Sequence, residues 1–348
     1  MSTREVDPGR TTLAMLAEEA GVSLSTISKV LNGHSDVSPT TRQRVEHLLD
    51  AHAYRRRGTA LRESTLLELV FSDLSNPWGS EIVSGVQDVA HEHGMSVVLT
   101  ASGDRHQPAP EWLPGALRRR PAGALLVSTD PSPMLRERLT GRGIPLAVID
   151  PAGELAPDIP SVGSTNWAGG MAATRHLIEL GHRDIAAVTG HAHMLCSLAR
   201  LDGYRSALVA AGLEVRPDRV FMGDFLPSGG RAAAERLFAG PDRPTAVFAG
   251  NDLQALGVIE VAREHGLRVP QDVSVVGYDD TSVAVWSRPQ LTTVHQPIKQ
   301  MAAEAARIVL RLADGEPVAQ QRLELAVHLV VRDSTAPPAP GRADGSTQ

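Results

Sequence analysis

Aromatic rings and planar amides or carboxylates occur together at several places along this chain of 348 residues. Ser75-Asn76-Pro77-Trp78 and Asn166-Trp167 each join an amide to an indole, and Asn251-Asp252 and Asp279-Asp280 put carboxyls beside an amide or beside each other. Only 3% of the residues are aromatic, so the placement of Trp78, Trp167 and Phe225 in or beside such loops carries weight. Amides and carboxylates make paired hydrogen bonds to vicinal hydroxyls, and a ring covers the apolar face of a sugar. That is the chemistry of holding a polyhydroxylated ligand. A second set, Leu24, Ser25, Ser28, Lys29 and Asn32, offers small hydroxyls, an amide and one ammonium. Such groups suit phosphate positioning and a guanine edge.

Other reactive-looking groups lead nowhere. His191 and His193 form an H-x-H, but no third ligand stands near them in sequence, so no metal is expected. Ser228-Gly229-Gly230 lacks the lysine and the spacing of a phosphate loop. Asp279 and Asp280 are adjacent on one strand end, where two side chains seldom face the same substrate, and no nucleophile accompanies them. No catalytic residue and no cofactor are expected. A single cysteine, Cys196, excludes a disulfide framework.

Three short helical patterns must position the second set. Thr11 or Thr12 can cap the first, with Leu13, Leu16, Ala17 and Ala20 on one face, and Gly21 ends it. Ser23 caps the next, Leu24 to about Leu31, with Ile27, Val30 and Leu31 inward. Ser38-Pro39 opens a third, with Val45, Leu48 and Leu49 inside. A small residue, a glycine turn four residues on, and two plugs into the first helix make the internal logic of a helix-turn-helix. Charge agrees. The net −6 averages two unlike pieces: residues 1–62 carry nine basic against seven acidic groups, and the rest 25 against 33. A +2 head can approach phosphate, and a −8 body need not.

The first set must be held by the longer remainder. Apolar runs Leu66–Phe71, Ser96–Thr100, Ala124–Val127 and Leu146–Ile149, then Ile185–Val188, Thr245–Ala249 and Val273–Gly277, alternate with amphipathic stretches. Among those stretches are Ser80–His93, Gly169–Leu180, Asp202–Ala211 and Leu253–His265. This βαβ alternation predicts two doubly wound lobes, each a parallel sheet covered by helices, with ligands beyond the carboxyl ends of the strands. The N-terminal Met1–Asp7 has no apolar stretch and no run is long enough to span a membrane, so a soluble, cytoplasmic protein without signal peptide is expected.

The run Thr12–Gly33, with Val37-Ser38 and Thr41-Arg42, resembles the DNA-binding head of LacI/GalR-type bacterial repressors. The stations His176–Arg183, Leu201–Tyr204, Ala249–Asp252, Val273–Asp280, Leu291–Pro297 and Val331–Ser334 resemble the same family's effector domain. The resemblance implies base reading by Leu24, Ser25 and Lys29, with Ser23, Thr26, Ser28 and Asn32 near phosphates and Thr12 also among the DNA-binding residues. At the Lys29 position the family's usual arginine is replaced by lysine. It implies effector contacts from Arg200, Asn251, Asp279 and Gln296, and from Trp78, Ile82, Asp150 and Phe225. It also implies a body similar to type I periplasmic sugar-binding proteins. In Tyr54–Arg62, Leu61 is the candidate for a minor-groove wedge, although Arg56 replaces the family's usual proline and the linker is short; a flexible basic tether is the alternative.

The expected domains are a flexible segment 1–10, a DNA-binding head 11–54, a hinge 55–65, an effector and dimerisation body 66–334, and a disordered, proline-rich tail 335–348. Within the body, an N-lobe takes about 66–164 plus 293–320, and a C-lobe 165–292 plus 321–334. The tail has no heptads, so a tetramerising helix is not expected. The reading is a homodimeric repressor on a pseudo-palindromic, double-stranded operator, controlled by a small sugar or oligosaccharide and associated with the nucleoid when bound. Its rivals are a cytosolic sugar-binding protein without catalytic or transport role, a transport solute-binding protein, which would need export, and an α/β enzyme, for which no nucleophile-base set exists.

Overall fold

The computed structural model describes residues 13–31, 37–52, 64–71, 76–101, 112–318 and 320–340. The expected flexible segment 1–10, nearly all of the expected hinge, and Thr12, Asn32 and Leu61 lie outside these residues.

The head is three helices, α1 (Leu13–Ala20), α2 (Leu24–Leu31) and α3 (Pro39–Ala51). The oxygen of Ser23 accepts from the Thr26 N–H at 3.1 Å, and that of Ser38 from the Thr41 N–H at 3.2 Å, so each hydroxyl satisfies a free amide at a helix start. Gly21 takes φ +61° and the Val22 N–H turns back to the Ala17 carbonyl. Only a residue without Cβ enters that left-handed turn cheaply. Ala17, Ala20, Ile27, Val30 and Val45 close the core.

The N-lobe begins with β1 (Leu66–Phe71), α4 (Pro77–Glu92), β2 (Ser96–Ala101), α5 (Trp112–Arg119), β3 (Gly123–Val127), α6 (Pro133–Thr140), β4 (Leu146–Ile149) and β5 (Ser161–Ser164). The chain then crosses into the C-lobe. There it forms α7 (Asn166–Glu179), β6 (Ile185–Thr189), α8 (Leu195–Ala210), β7 (Val220–Met222), α9 (Pro227–Phe238), β8 (Ala246–Ala249), α10 (Asp252–Glu264), β9 (Ser274–Asp279), α11 (Ser282–Trp286) and β10 (Thr292–His295). It returns as α12 (Ile298–Ala313) and β11 (Arg322–Leu325), and crosses once more into β12 (His328–Val330). The sheets run β11-β5-β4-β3-β1-β2 and β12-β10-β9-β8-β6-β7, parallel except for the β10–β12 pair.

Central strands such as Leu-Ala-Val-Ile of β4 and Ala-Val-Phe-Ala of β8 are buried throughout, because helices cover both faces. In the N-lobe, α4 and α12 cover one face and α5 and α6 the other. In the C-lobe, α9 and α10 oppose α7 and α8. Glu68, in the middle of β1, is fully buried and accepts from Trp112 Nε1, Thr100 Oγ1 and the Arg119 guanidinium. This carboxylate is bound into the N-lobe core, far from any ligand chemistry.

The expected lobe boundaries shift at both later crossings. Residues 292–295 stay in the C-lobe, because β10 pairs with β9 in the register Thr292–Val276 to His295–Asp279. Residues 322–325 belong to the N-lobe, because β11 pairs with β5 from Arg322–Ser161 onward. The expected tail also starts too early. His182 and Ser274 hydrogen-bond Ala336, and the Thr335 hydroxyl meets His176 and Thr292. Thr335 and Ala336 thus continue the body, the Ala336 backbone being satisfied by the buried side chains of His182 and Ser274.

Candidate functional site

In the head, α2 turns Leu24, Ser25 and Lys29 outward, with Leu24 52% exposed, and Ser28 half-buried on the same face. Ser23 and Thr26 are engaged locally, Ser23 Oγ lying 2.7 Å from Ser25 Oγ and 2.8 Å from Thr26 Oγ1. They shape the helix start and present their hydroxyls beside Leu24.

Between the lobes lies a cleft of about 960 Å³ including its open mouth. Its walls come from the carboxyl ends of strands in both sheets: Phe71 and the 76–78 turn after β1, Ser128 after β3, and Asp150 after β4. Facing them are Asp224–Leu226 after β7, Asn251–Leu253 after β8, and Asp279 with Thr281 at the end of β9. The first two turns of α8 add Cys196 and Arg200. Of the expected effector residues, Trp78, Asp150, Arg200, Phe225, Asn251 and Asp279 are brought together here.

Arg200 organises the floor. It is 3% exposed, and donates from Nε to Asn166 Oδ1 at 2.8 Å, from Nη1 to the Gly250 carbonyl at 2.6 Å, and from Nη2 to Gln296 Oε1 at 2.9 Å. Nη1 also lies 3.6 Å from Asp279 Oδ1, and the guanidinium carbon stands 3.7 Å from the centre of the Tyr278 ring. Burial opposes its charge, but Tyr278, Asp279, Cys196 and Asp150 outweigh that and hold its pKa above the usual value.

The carboxyls around it are strained electrostatically. Burial raises Asp279 well above the ordinary range, Arg200 opposes the rise, and Asp252 and Asp150 add to it. Burial likewise raises Asp150 against the pull of Arg200. Asp279 Oδ1 accepts no hydrogen bond from any described residue. Carboxyls in such surroundings gain from any hydroxyl that donates to them. Cys196 is buried and its thiol is pushed up to about 12, so it packs and does not react.

Two expected residues play other parts. Ile82 is fully buried in the N-lobe core beside Leu67 and Leu69, because it sits on the inner stripe of α4, and it does not reach the cleft. Gln296 reaches the site only through Arg200. The Asn251-Asp252 pair is largely occupied by architecture. Asn251 Oδ1 caps α10 through the Gln254 N–H, and its Nδ2 donates to the Phe225 carbonyl. Asp252 accepts from the Thr281 N–H and from the hydroxyls of Thr281 and Thr293, while burial lifts its pKa to about 7. Asp280 turns away from Asp279 to Arg332 Nη2 and His295 Nδ1. Asp224, Ser128, Met194 and Phe71 line the cleft without any motif that marked them. His191 and His193 stack at 5.4 Å, and among the described residues no group of three His, Cys, Asp or Glu side chains could hold a metal ion. Among the same residues no helix is long and apolar enough to cross a membrane.

Comparison with known proteins identifies a family for both parts of the chain. Residues 12–57 match a model of bacterial regulatory proteins of the lacI family, and residues 174–335 a periplasmic binding protein-like domain. The HTH-type transcriptional regulator CelR of Thermobifida fusca is 37% identical over 337 residues, which cover 93% of this chain and 98% of that protein. A solved CelR–cellobiose complex superimposes with TM-score 0.71 at 38% identity, covering 93% of this chain and 100% of the other. The lac repressor dimer bound to operator and the anti-inducer ONPF gives TM-score 0.67 at 27% identity, covering 94% and 99%.

Proposed function

The chain belongs to the LacI family of bacterial regulatory proteins, and from that membership we propose a repressor whose hold on its operator is set by a small sugar or oligosaccharide between the lobes. It is a DNA-binding transcriptional regulator, as its relatives are. The observation that carries the effector reading is the buried Arg200–Asp279–Asp150 set, flanked by Trp78 and Phe225, on the same chain as a helix-turn-helix head. Such a cleft offers hydrogen-bond acceptors in a low-dielectric wall and rings beside them, which is what a polyol needs. Relatives support the class, since CelR is known as a cellobiose complex.

On the DNA side, Leu24, Ser25 and Lys29 are the base-reading candidates, with Ser23, Thr26 and Ser28 beside phosphates. One small head buries too little DNA for high specificity, so the working form is a homodimer on two half-sites. Closure of the lobes on the effector re-sets the heads, a coupling of typically ~1–3 kcal/mol that must act in both directions. No catalytic step is assigned, and the protein acts in the cytoplasm. The test is a gel-shift with DNA from upstream of the chain's own gene, across salt concentrations and with sugars added. A sequence-specific, salt-sensitive shift altered by one sugar class is expected; no specific shift under any condition would refute the reading.

A further inference from the structure

Trp167 is absent from the walls of the main cleft. It stands in the first turn of α7 with 48% of its surface exposed, and it lines a second cavity of about 800 Å³, open mouth included. The other walls that matter are Ser164 to Asn166 at the crossing from β5, Glu324 on β11, and Leu195 at the start of α8, itself 43% exposed. Asp150 and Cys196 line both cavities, so the two meet at those side chains. Asn166 joins them a second time, since it lines the outer cavity while its Oδ1 accepts from Arg200 on the floor of the inner one.

Asp150 is the informative residue. Only 6% of it is exposed, and burial raises its pKa against the pull of Arg200. A buried carboxyl that faces two cavities is best satisfied by donors from a ligand that occupies both. The outer cavity selects the kind of donor. An exposed indole and an exposed leucine offer an apolar platform, while hydroxyls, an amide and two carboxyls, Asp150 and Glu324, form the rim. Those carboxyls repel phosphate and other anions, and a purely apolar ligand would strand them unpaired. A pyranose, with hydroxyls around its edge and C–H groups on its face, fits both demands.

Resting on the effector reading above, we infer that the effector has at least two pyranose rings. One ring sits with Arg200 and Asp279 between Trp78 and Phe225. The next lies on Trp167, and Asp150 accepts from hydroxyls on either side of the glycosidic link. Trp167 then decides the length of sugar recognised and leaves capture of the inner ring untouched.

The experiment is calorimetric titration of the full chain with the pairs glucose and cellobiose, glucose and maltose, and xylose and xylobiose. The expected result is that at least one disaccharide binds about tenfold or more tighter than its own monosaccharide, tenfold being ~1.4 kcal/mol. Trp167→Ala should remove most of that gain, roughly five- to tenfold, with the monosaccharide affinity unchanged within about twofold. Trp167→Phe, which keeps a ring, should retain most of it. Equal weakening of both sugars by Trp167→Ala, or no effect on either, would overturn the second subsite, as would monosaccharides binding as tightly as every disaccharide. In those cases a sugar-dependent gel-shift still stands. Failure of every sugar to bind removes the effector reading along with this one.

Discussion

Arg200→Ala separates the two roles that one guanidinium plays, and its cost can be worked from its neighbours. The wild-type group donates to Asn166, Gly250 and Gln296 and faces Asp279. Breaking a buried ion pair from one side costs ~3–5 kcal/mol, because the remaining charge stays in a poor solvent. Asp279 can escape part of that by protonating, since burial already raises it. The lower end, about 3 kcal/mol, is therefore the better figure. In a body of this size each kcal/mol moves the melting midpoint by roughly 2–4 °C, so the variant should melt about 6–12 °C lower. Arg200→Lys keeps the charge but cannot serve all three neutral acceptors, and it should fall between the two. At 25 °C the alanine variant should still shift operator DNA, because the head packs on its own core, and sugar should no longer change that shift. Thermal unfolding followed by circular dichroism, with and without sugar, reads both effects. A midpoint within about 2 °C of wild type would refute the organising role of Arg200. A full sugar response in a destabilised variant would refute its place in the effector site.

Two further outcomes follow from other parts of the molecule. Lys29→Ala should weaken specific operator binding by about tenfold or more and reduce the salt slope by about one for each head, as measured by fluorescence anisotropy; an unchanged specific affinity would remove Lys29 from base reading. Burial holds His182 at about 4 although its bond to the Ala336 carbonyl favours the charged form, so the folded protein keeps it neutral where the unfolded chain protonates. Its contribution is present above about pH 6.5 and is lost as pH falls toward 4, by at most ~1.4 kcal/mol per pH unit. The stability gap between wild type and His182→Gln in urea should narrow from pH 7 to pH 5, and a constant gap would contradict the assignment.

The central strands and the head were legible because their apolar periods are long or their caps explicit. Ser23, Gly21 and Ser38 announce helix ends in residue type alone, and Leu-Ala-Val-Ile reads as a strand buried on both faces. The strands β5, β7, β10, β11 and β12 were not legible. Ser-Val-Gly-Ser and Val-Phe-Met are too short or too polar to stand out, and only pairing with neighbouring strands defines them. The lobe boundaries failed for the same reason, since a crossing is a matter of pairing partners and leaves no mark in composition. Ile82 was misplaced because one turn of α4 separates the cleft-facing start, Trp78, from the core stripe; no local pattern tells them apart. The pairing of Asp279 inward and Asp280 outward was partly legible, because successive residues at a strand end diverge.

What no residue type announced is the backbone at the cleft. Ser128, Asp150, Phe225, Asp279 and Asp280 all take positive φ, from +48° to +105°, and none is glycine. Each such position costs on the order of 1–3 kcal/mol and persists only where the surroundings over-determine it. Here the surroundings do so. Gly190 leaves room for the Phe225 ring, since a Cβ there would lie 2.1 Å from it, and Asp280 is bound by Arg332 and His295. Four of the five line the cleft itself. A loop of glycines could adopt the same backbone without strain, but it would present no carboxyl and no ring. Side chains that can hold a ligand therefore occupy the conformations that glycine would otherwise fill. Under the proposed function the strain sits where a ligand can offset it, its hydroxyls donating to the carboxyls that the fold leaves short.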